Sequence, residues 1–231
     1  FSATLDGGNR GRFDVVVDPR RAEQVNIGQI IFRNGRQFYE AWCRFRGKNF
    51  IAGKRQNIEP AATLKDYSIE THLTGNLDMQ VRVKADLLPL RSKTKLYFFK
   101  LSRRLRLSEI LIDGKPTEFV QVSQSTAEDT PHPSSNFFAV AVDNPLNPNM
   151  IYEVEFHYEG RVIDTAGDGV YYVDSRDTWY PKAHTAFTDF ELLFHYPDQF
   201  DLVATGHLIQ TKEDKGVRSS LFRSVKPIRV A

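Results

Sequence analysis

The sequence predicts an all-β protein, an antiparallel β-sandwich of saddle-like form with roughly a dozen strands and little helix. Three observations predict it. Apolar and polar residues alternate with period 2 through most of the chain, the mark of half-buried strands. Turn-forming residues interrupt these runs about every 8–12 residues, the spacing of sandwiches and barrels. No segment keeps a helical period beyond two turns; residues 18–23 and 126–129 are the places where a short helix fits.

The elements follow in order. Residues 13–17 (Phe13-Asp14-Val15-Val16-Val17) alternate and stop at Asp18-Pro19, a turn signal. Residues 29–32 and 37–45 flank Asn34-Gly35, a strong hairpin signal between two β-rich runs. Cys43 lies in the second of these runs and reads as a small buried residue. As the single cysteine it forms no intrachain disulfide, so the fold does not depend on an oxidising compartment. Residues 47–60 are polar and contain glycine, which places a boundary there: 1–60 is a strand-rich extension and 61–231 the sandwich domain.

In the second part, residues 67–73 form a strand and Thr74-Gly75-Asn76 a turn. Residues 77–88 then put Met79, Val81, Val83 and Ala85 on one face, and Gln80, Arg82, Lys84 and Asp86 on the other. Residues 95–101 are a strand carrying Tyr97-Phe98-Phe99. The basic cluster Arg103-Arg104-Leu105-Arg106 is the polar beginning of the next strand, 105–112, which ends at Asp113-Gly114 and returns through 118–122. Residues 123–135 are rich in Ser, Thr and Pro and form an exposed loop. Strands at 137–142 and 151–158 are separated by a double-proline turn, and strands at 187–196, 202–210 and 217–222 close the series.

Composition excludes several functions. The chain has 231 residues, enough to bury roughly 70% of its unfolded surface. Its 31 basic and 29 acidic residues leave a net charge of +2, without the basic excess of a nucleic-acid binder. No apolar run approaches the ~18 residues of a membrane span. The chain begins Phe1-Ser2-Ala3-Thr4 and stops at Val230-Ala231, and both ends read as cuts through a longer protein.

The histidines His72, His132, His157, His184, His195 and His207 show no H-E-x-x-H, H-x-H or C-x-x-C partner, so no metal site and no catalytic residue is assigned. His157 and His195 occupy the polar phase of aromatic strands and read as half-exposed strand residues. Phosphate-loop, dinucleotide and G-x-S-x-G signatures are absent. Residues 164–181 are the richest stretch, with Asp164, Asp168, Asp174 and Asp177 beside Tyr171, Tyr172, Trp179 and Tyr180. The spacing of the carboxylates fails the calcium-loop pattern, which needs D-x-[DN]-x-[DN]-G and a closing Glu. The stretch reads as an irregular loop, whose aromatic residues stack a ligand or plug the end of a core.

Here the sequence resembles zinc aminopeptidases of the aminopeptidase N type. Gly169-Val170-Tyr171-Tyr172, Trp179-Tyr180-Pro181, then Phe190-Glu191-Leu192-Leu193-Phe194-His195-Tyr196-Pro197 and Leu202-Val203-Ala204-Thr205-Gly206 follow the end of that family's N-terminal domain. The strand order from residue 67 onward agrees in kind, and 1–60 lies outside the resemblance. There are departures. Lys182-Ala183-His184-Thr185-Ala186 replaces an acidic Asp-x-Pro element. Gln121, Gln124 and Glu128 lie upstream of the matched motifs, so none is assigned the family's contact with a substrate amino terminus.

The resemblance implies a non-catalytic N-terminal domain of a divergent bacterial zinc metallopeptidase. Such a domain scaffolds and partly covers the cleft of its own C-terminal catalytic domain, where zinc and the peptide substrate bind. This chain itself is expected to hold no cofactor, bind no stoichiometric zinc and cleave no aminoacyl amide. Asp174, Arg176, Asp177, Trp179 and Tyr180 are the expected cleft residues. The alternatives are a stand-alone carbohydrate- or protein-binding module and a structural spacer.

Overall fold

A computed structural model of the chain describes residues 2–17, 24–33, 36–46, 51, 60–121, 137–173, 178–184, 186–229 and 231. The segments 18–23 and 126–129, considered above for short helices, lie outside these residues. The chain divides into two compact units, one within Phe1–Glu59 and one built from Pro60–Gln124 and Asn136–Ala231. Among the described residues the elements are strands and one 3-10 turn, Gly8–Arg10, as the period-2 pattern requires. No helix among them is long and apolar enough to cross a membrane.

The first unit is a four-stranded antiparallel meander of β1 (Ser2–Asp6), β2 (Arg12–Val17), β3 (Val25–Arg33) and β4 (Arg36–Phe45). The β3–β4 pairing extends to Arg33 opposite Arg36, the register a two-residue Asn34-Gly35 connection dictates. Asp14 is buried and accepts a hydrogen bond from Thr4 Oγ1 at 2.8 Å. The expectation of a buried Cys43 is corrected: the residue is exposed, as are its neighbours from Glu40 to Arg46. Alternation shows that a strand has two faces, but not whether a second layer covers either one.

The second unit is a sandwich. Its large sheet contains β5 (Ala62–Leu73), β6 (Met79–Pro89), β8 (Leu105–Ile112), β9 (Lys115–Pro116), β12 (Tyr152–Gly160), β15 (Phe190–Pro197), β16 (His207–Asp214) and β17 (Val217–Arg223). Their order across the sheet is β16-β17-β15-β5-β6-β12-β8-β9. A three-stranded sheet, β10 (Glu118–Gln121), β11 (Phe137–Ala141) and β7 (Leu96–Lys100), covers one face. The hairpin β13 (Ile163–Gly167) and β14 (Val170–Val173) stands apart as a two-stranded sheet.

The alternation fixes the faces. On β6 every residue from Met79 to Leu87 of odd number is buried, and Gln80, Arg82, Lys84 and Asp86 point outward. Between the two sheets Phe99, Phe138 and Phe156 meet with ring centroids 5.5–5.9 Å apart, two of the three contacts edge to face, the arrangement aromatic quadrupoles favour. The Gln121 side chain accepts the Leu107 N–H at 2.8 Å and donates to Leu105 O at 2.7 Å, tying β10 to β8.

Among the described residues, three hairpins turn through an X-Gly pair with both φ angles positive: Asp113-Gly114, Asp168-Gly169 and Lys215-Gly216. That is the turn whose twist matches antiparallel strands. The second corrects the reading of 164–181 as irregular throughout. The strand expected at 202–210 is also displaced: β16 begins at His207 and runs to Asp214. Gly206 adopts φ +104 against Arg223 O, so the chain enters the ladder only after it. One pairing departs from the antiparallel expectation. β15 lies parallel to β5, with Phe190 opposite Tyr67 and His195 opposite His72.

Candidate functional site

Asp174, Arg176 and Asp177 lie outside the described residues. Trp179 and Tyr180 are 8% and 1% exposed, so their rings belong to the core. They pack edge to face on each other, and Tyr180 also meets Tyr67 and Phe190. Hydrogen bonds pin the surrounding backbone: Tyr158 Oη donates to Trp179 O at 2.9 Å and Tyr67 Oη to Pro181 O at 3.0 Å. Trp179 Nε1 donates to Ala231 O at 3.1 Å.

Burial pushes the Tyr180 hydroxyl up to about 12, and raises Tyr67 and Tyr158 as well, so all three stay neutral; Tyr67 and Tyr158 donate, while Tyr180 Oη accepts the Ala231 N–H at 3.2 Å. The Lys182 ammonium sits 4.2 Å over the Tyr180 ring, and burial together with Lys100 lowers it to about 8. Residues 179–181 are therefore part of the core. The aromatic residues of this stretch that face solvent are Tyr171 and Tyr172 on β14, 44% and 47% exposed.

A second region lies on the outer face of the large sheet. Glu155 on β12 accepts from Arg82 at 2.6 and 3.2 Å, with His157 Nε2 at 2.6 Å and Lys84 Nζ at 3.4 Å. A shallow recess of about 270 Å³ adjoins it, lined by Glu70, His72, Gln80, Arg82, Ser108 and His157 among others. At its edge, Glu70 and His72 on β5 meet His195 on β15, which in turn meets Ser219 on β17. His195 Nε2 lies 3.1 Å from Glu70 Oε1, and its Nδ1 lies 2.8 Å from Ser219 Oγ.

The Ser219–His195–Glu70 series has the residue types of a nucleophilic triad but not its surroundings. β17 is paired on both sides, to β15 and to β16. Its N–H groups are taken up by the two ladders, so β17 itself offers no backbone donor pair to an oxyanion. Glu70-x-His72 at strand spacing is a signal that the sequence carries. The approach of His195, 125 residues from Glu70, is one that it hides.

No protein-family model matches the sequence, and no curated protein matches it. Solved structures do match, among them chains of an M1 zinc metallopeptidase and of an aminopeptidase. The M1 zinc metallopeptidase of Deinococcus radiodurans aligns with a TM-score of 0.58 and 15% identity over 74% of this chain and 41% of its own. A mutant bound to a Tyr-Ser-Ala substrate gives 0.58 and 15% over 73% and 40%. Legionella pneumophila aminopeptidase A, in complex with aspartic acid, gives 0.59 and 9% over 74% and 21%. At these identities the likeness establishes the fold: about three quarters of the chain shares the architecture of part of these peptidases. The chain spans about two fifths of the Deinococcus chains. The resemblance puts the zinc site in a separate catalytic domain, and this chain's own residues do not supply an H-E-x-x-H helix. The chain contains no such sequence, and the His and Glu side chains that converge here sit on strands.

Proposed function

We propose that this chain is a non-catalytic β-sandwich domain of a zinc aminopeptidase-like protein, placed N-terminal to a catalytic domain whose cleft it scaffolds and partly covers. The observation that supports this most is the shared architecture, which covers most of this chain and a minor part of each metallopeptidase chain. Zinc and peptide chemistry belong, in this reading, to the catalytic domain, which is the partner. The cleft-facing surface is the stretch 164–181. Asp174, Arg176 and Asp177 supply polar contacts to the peptide, and Tyr171 and Tyr172 supply aromatic ones. Trp179 and Tyr180 act through the core by holding the segment in place.

The test uses the protein encoded by the complete reading frame. Sequence downstream of Ala231 should contain H-E-x-x-H and G-x-M-E-N. Arg176→Ala and Asp177→Ala should raise KM for short peptides with little change in kcat, since they remove binding groups away from the reacting bond. A frame without the zinc motif, or peptide turnover unchanged in both variants, would sink the reading.

The alternative of a stand-alone carbohydrate- or protein-binding module draws on one observation: all four residues of β14 are exposed, including both tyrosines. Glycan or peptide binding by the isolated chain, lost in Tyr171→Ala and Tyr172→Ala, would favour it instead.

A further inference from the structure

Three strands of the large sheet bring two imidazoles, a carboxylate and a hydroxyl to one spot on its outer face. Because β5 and β15 run parallel and in register, His72 and His195 stand side by side. Their ring centroids are 4.3 Å apart and their planes 14° from parallel. Strand periodicity puts Glu70 on the same face as His72. Its Oε1 lies 3.1 Å from His195 Nε2 and 3.7 Å from His72 Nε2. One ligand atom from each of the three residues lies within 4.8 Å of the others. A tetrahedral zinc ion with bonds of ~2.1 Å holds its ligand atoms ~3.4 Å apart. The two Glu–His distances fall on either side of that separation.

Two neighbours complete the arrangement. Ser219 Oγ lies 2.8 Å from His195 Nδ1. Without a metal the Nε2–H donates to Glu70 Oε1, since a carboxylate only accepts; when an ion displaces that proton, the Ser219 hydroxyl rotates to accept an Nδ1–H and leaves the Nε2 lone pair for the metal. Metal-binding histidines use this device: a hydrogen bond at one nitrogen leaves the other free to coordinate. Arg82, the register partner of Glu70, is the nearby cation that would oppose a metal. Its guanidinium is held by both oxygens of Glu155, so its charge is matched.

We propose that Glu70, His72 and His195 form a binding site for a divalent transition metal of the zinc class, with Ser219 orienting His195 and the remaining coordination position open to water. All three side chains are accessible, with Glu70 38%, His72 56% and His195 23% exposed, so an ion reaches the site without any opening of the fold. Occupancy cross-links β5 to β15, the one parallel junction among the described strands. This departs from the expectation that the chain binds no zinc. That expectation followed from the absence of ligand spacing along the sequence, whereas these ligands meet across strands.

The test is Zn²⁺ titration of the metal-free 231-residue chain by calorimetry at neutral pH. A Cys43→Ser background removes the exposed thiol as a competing ligand. One saturable zinc per chain is expected, with a Kd below about 100 μM. Co²⁺ should give the visible absorption of a site with nitrogen ligands.

His72→Ala and His195→Ala should each weaken Zn²⁺ binding at least ~10-fold, and Ser219→Ala about 10-fold. His207→Ala should leave it within about twofold, since His207 pairs with Arg223, at the other end of β17 from Ser219. His72 is more than half exposed, so its variant keeps the fold, which far-UV circular dichroism checks. A plain Glu70–His195 ion pair predicts no saturable zinc. That result, or binding that is unchanged in both His72→Ala and His195→Ala, would overturn the proposal. Neither outcome depends on the peptidase reading.

Discussion

Glu155 should control how the second unit responds to acid. Its side chain is 9% exposed and lies between Arg82, Lys84 and His157. Burial by itself would push the carboxyl up. Hydrogen bonds from Arg82 and His157, the charge of Arg82 and a bond from Lys84 outweigh burial and bring it down from 4.5 to about 2. A depression of that size corresponds to about 3 kcal/mol of differential stabilisation of the charged form. The folded-state value is the lower one, so the contribution is fully present above 4.5 and is lost as pH falls towards 2.

Glu155→Gln keeps the shape and removes the charge. At neutral pH the variant should be less stable than the parent by up to about 3 kcal/mol, an upper bound because Gln retains part of the hydrogen bonding. The gap should narrow as pH falls below 4.5 and close near 2. Urea unfolding in a Trp42→Phe background measures this, since the buried Trp179 then reports the second unit alone. A gap that stays constant over the whole pH range would refute the reasoning. So would a neutral-pH gap under about 0.5 kcal/mol, which is how an exposed ion pair behaves.

Two further predictions concern the backbone and Lys182. Gly160 has φ +145, and a Cβ there would lie 2.2 Å from Arg104 O. Gly160→Ala should therefore cost about 2 kcal/mol or more. Gly75→Ala, where a Cβ meets nothing within 4 Å, should stay within about 0.5 kcal/mol in the same urea assay. Lys182 has its folded-state value lowered to about 8, by burial first and Lys100 second, while the unfolded chain titrates near 10.5. The unfolded state thus binds more protons between these values, and stability should rise with pH above 8. Lys182→Met should flatten that rise in thermal melts; an unchanged slope would assign it to another group.

What the sequence revealed and what it hid divide along physical lines. The alternation of Met79 to Leu87 and the Asp113-Gly114 turn are local properties, readable because strand period and turn sterics act over a few residues. The same logic was available at Asp168-Gly169, where the density of carboxylates obscured it. Exposure of Cys43 depends on whether a second sheet covers β4, and burial of Trp179 and Tyr180 depends on where residues 178–181 dock. Neither is a local property. The parallel β5–β15 pairing joins segments more than a hundred residues apart in sequence, so the meeting of His72, Glu70 and His195 has no local signature beyond Glu70-x-His72.

That meeting is nonetheless a consequence of the core. On the inner face Phe190 stacks on Tyr67, with centroids 5.0 Å apart and planes 12° from parallel. Leu192 stands beside Ile69, and Phe194 beside Thr71, in the same register. All six of these residues are buried. A slip of one residue between β5 and β15 would turn three apolar side chains of β15 outward and bring Glu191, Leu193 and His195 inward, which the packed interior does not permit. The register that the apolar face imposes is therefore the register that aligns His195 with His72 on the polar face. A site built this way needs no loop to order when an ion arrives, because its side chains stand on strands already fixed from behind. The outer-face chemistry is thus coupled to the inner-face packing, and a substitution that loosens the Tyr67–Phe190 stack would reach the imidazoles without touching them.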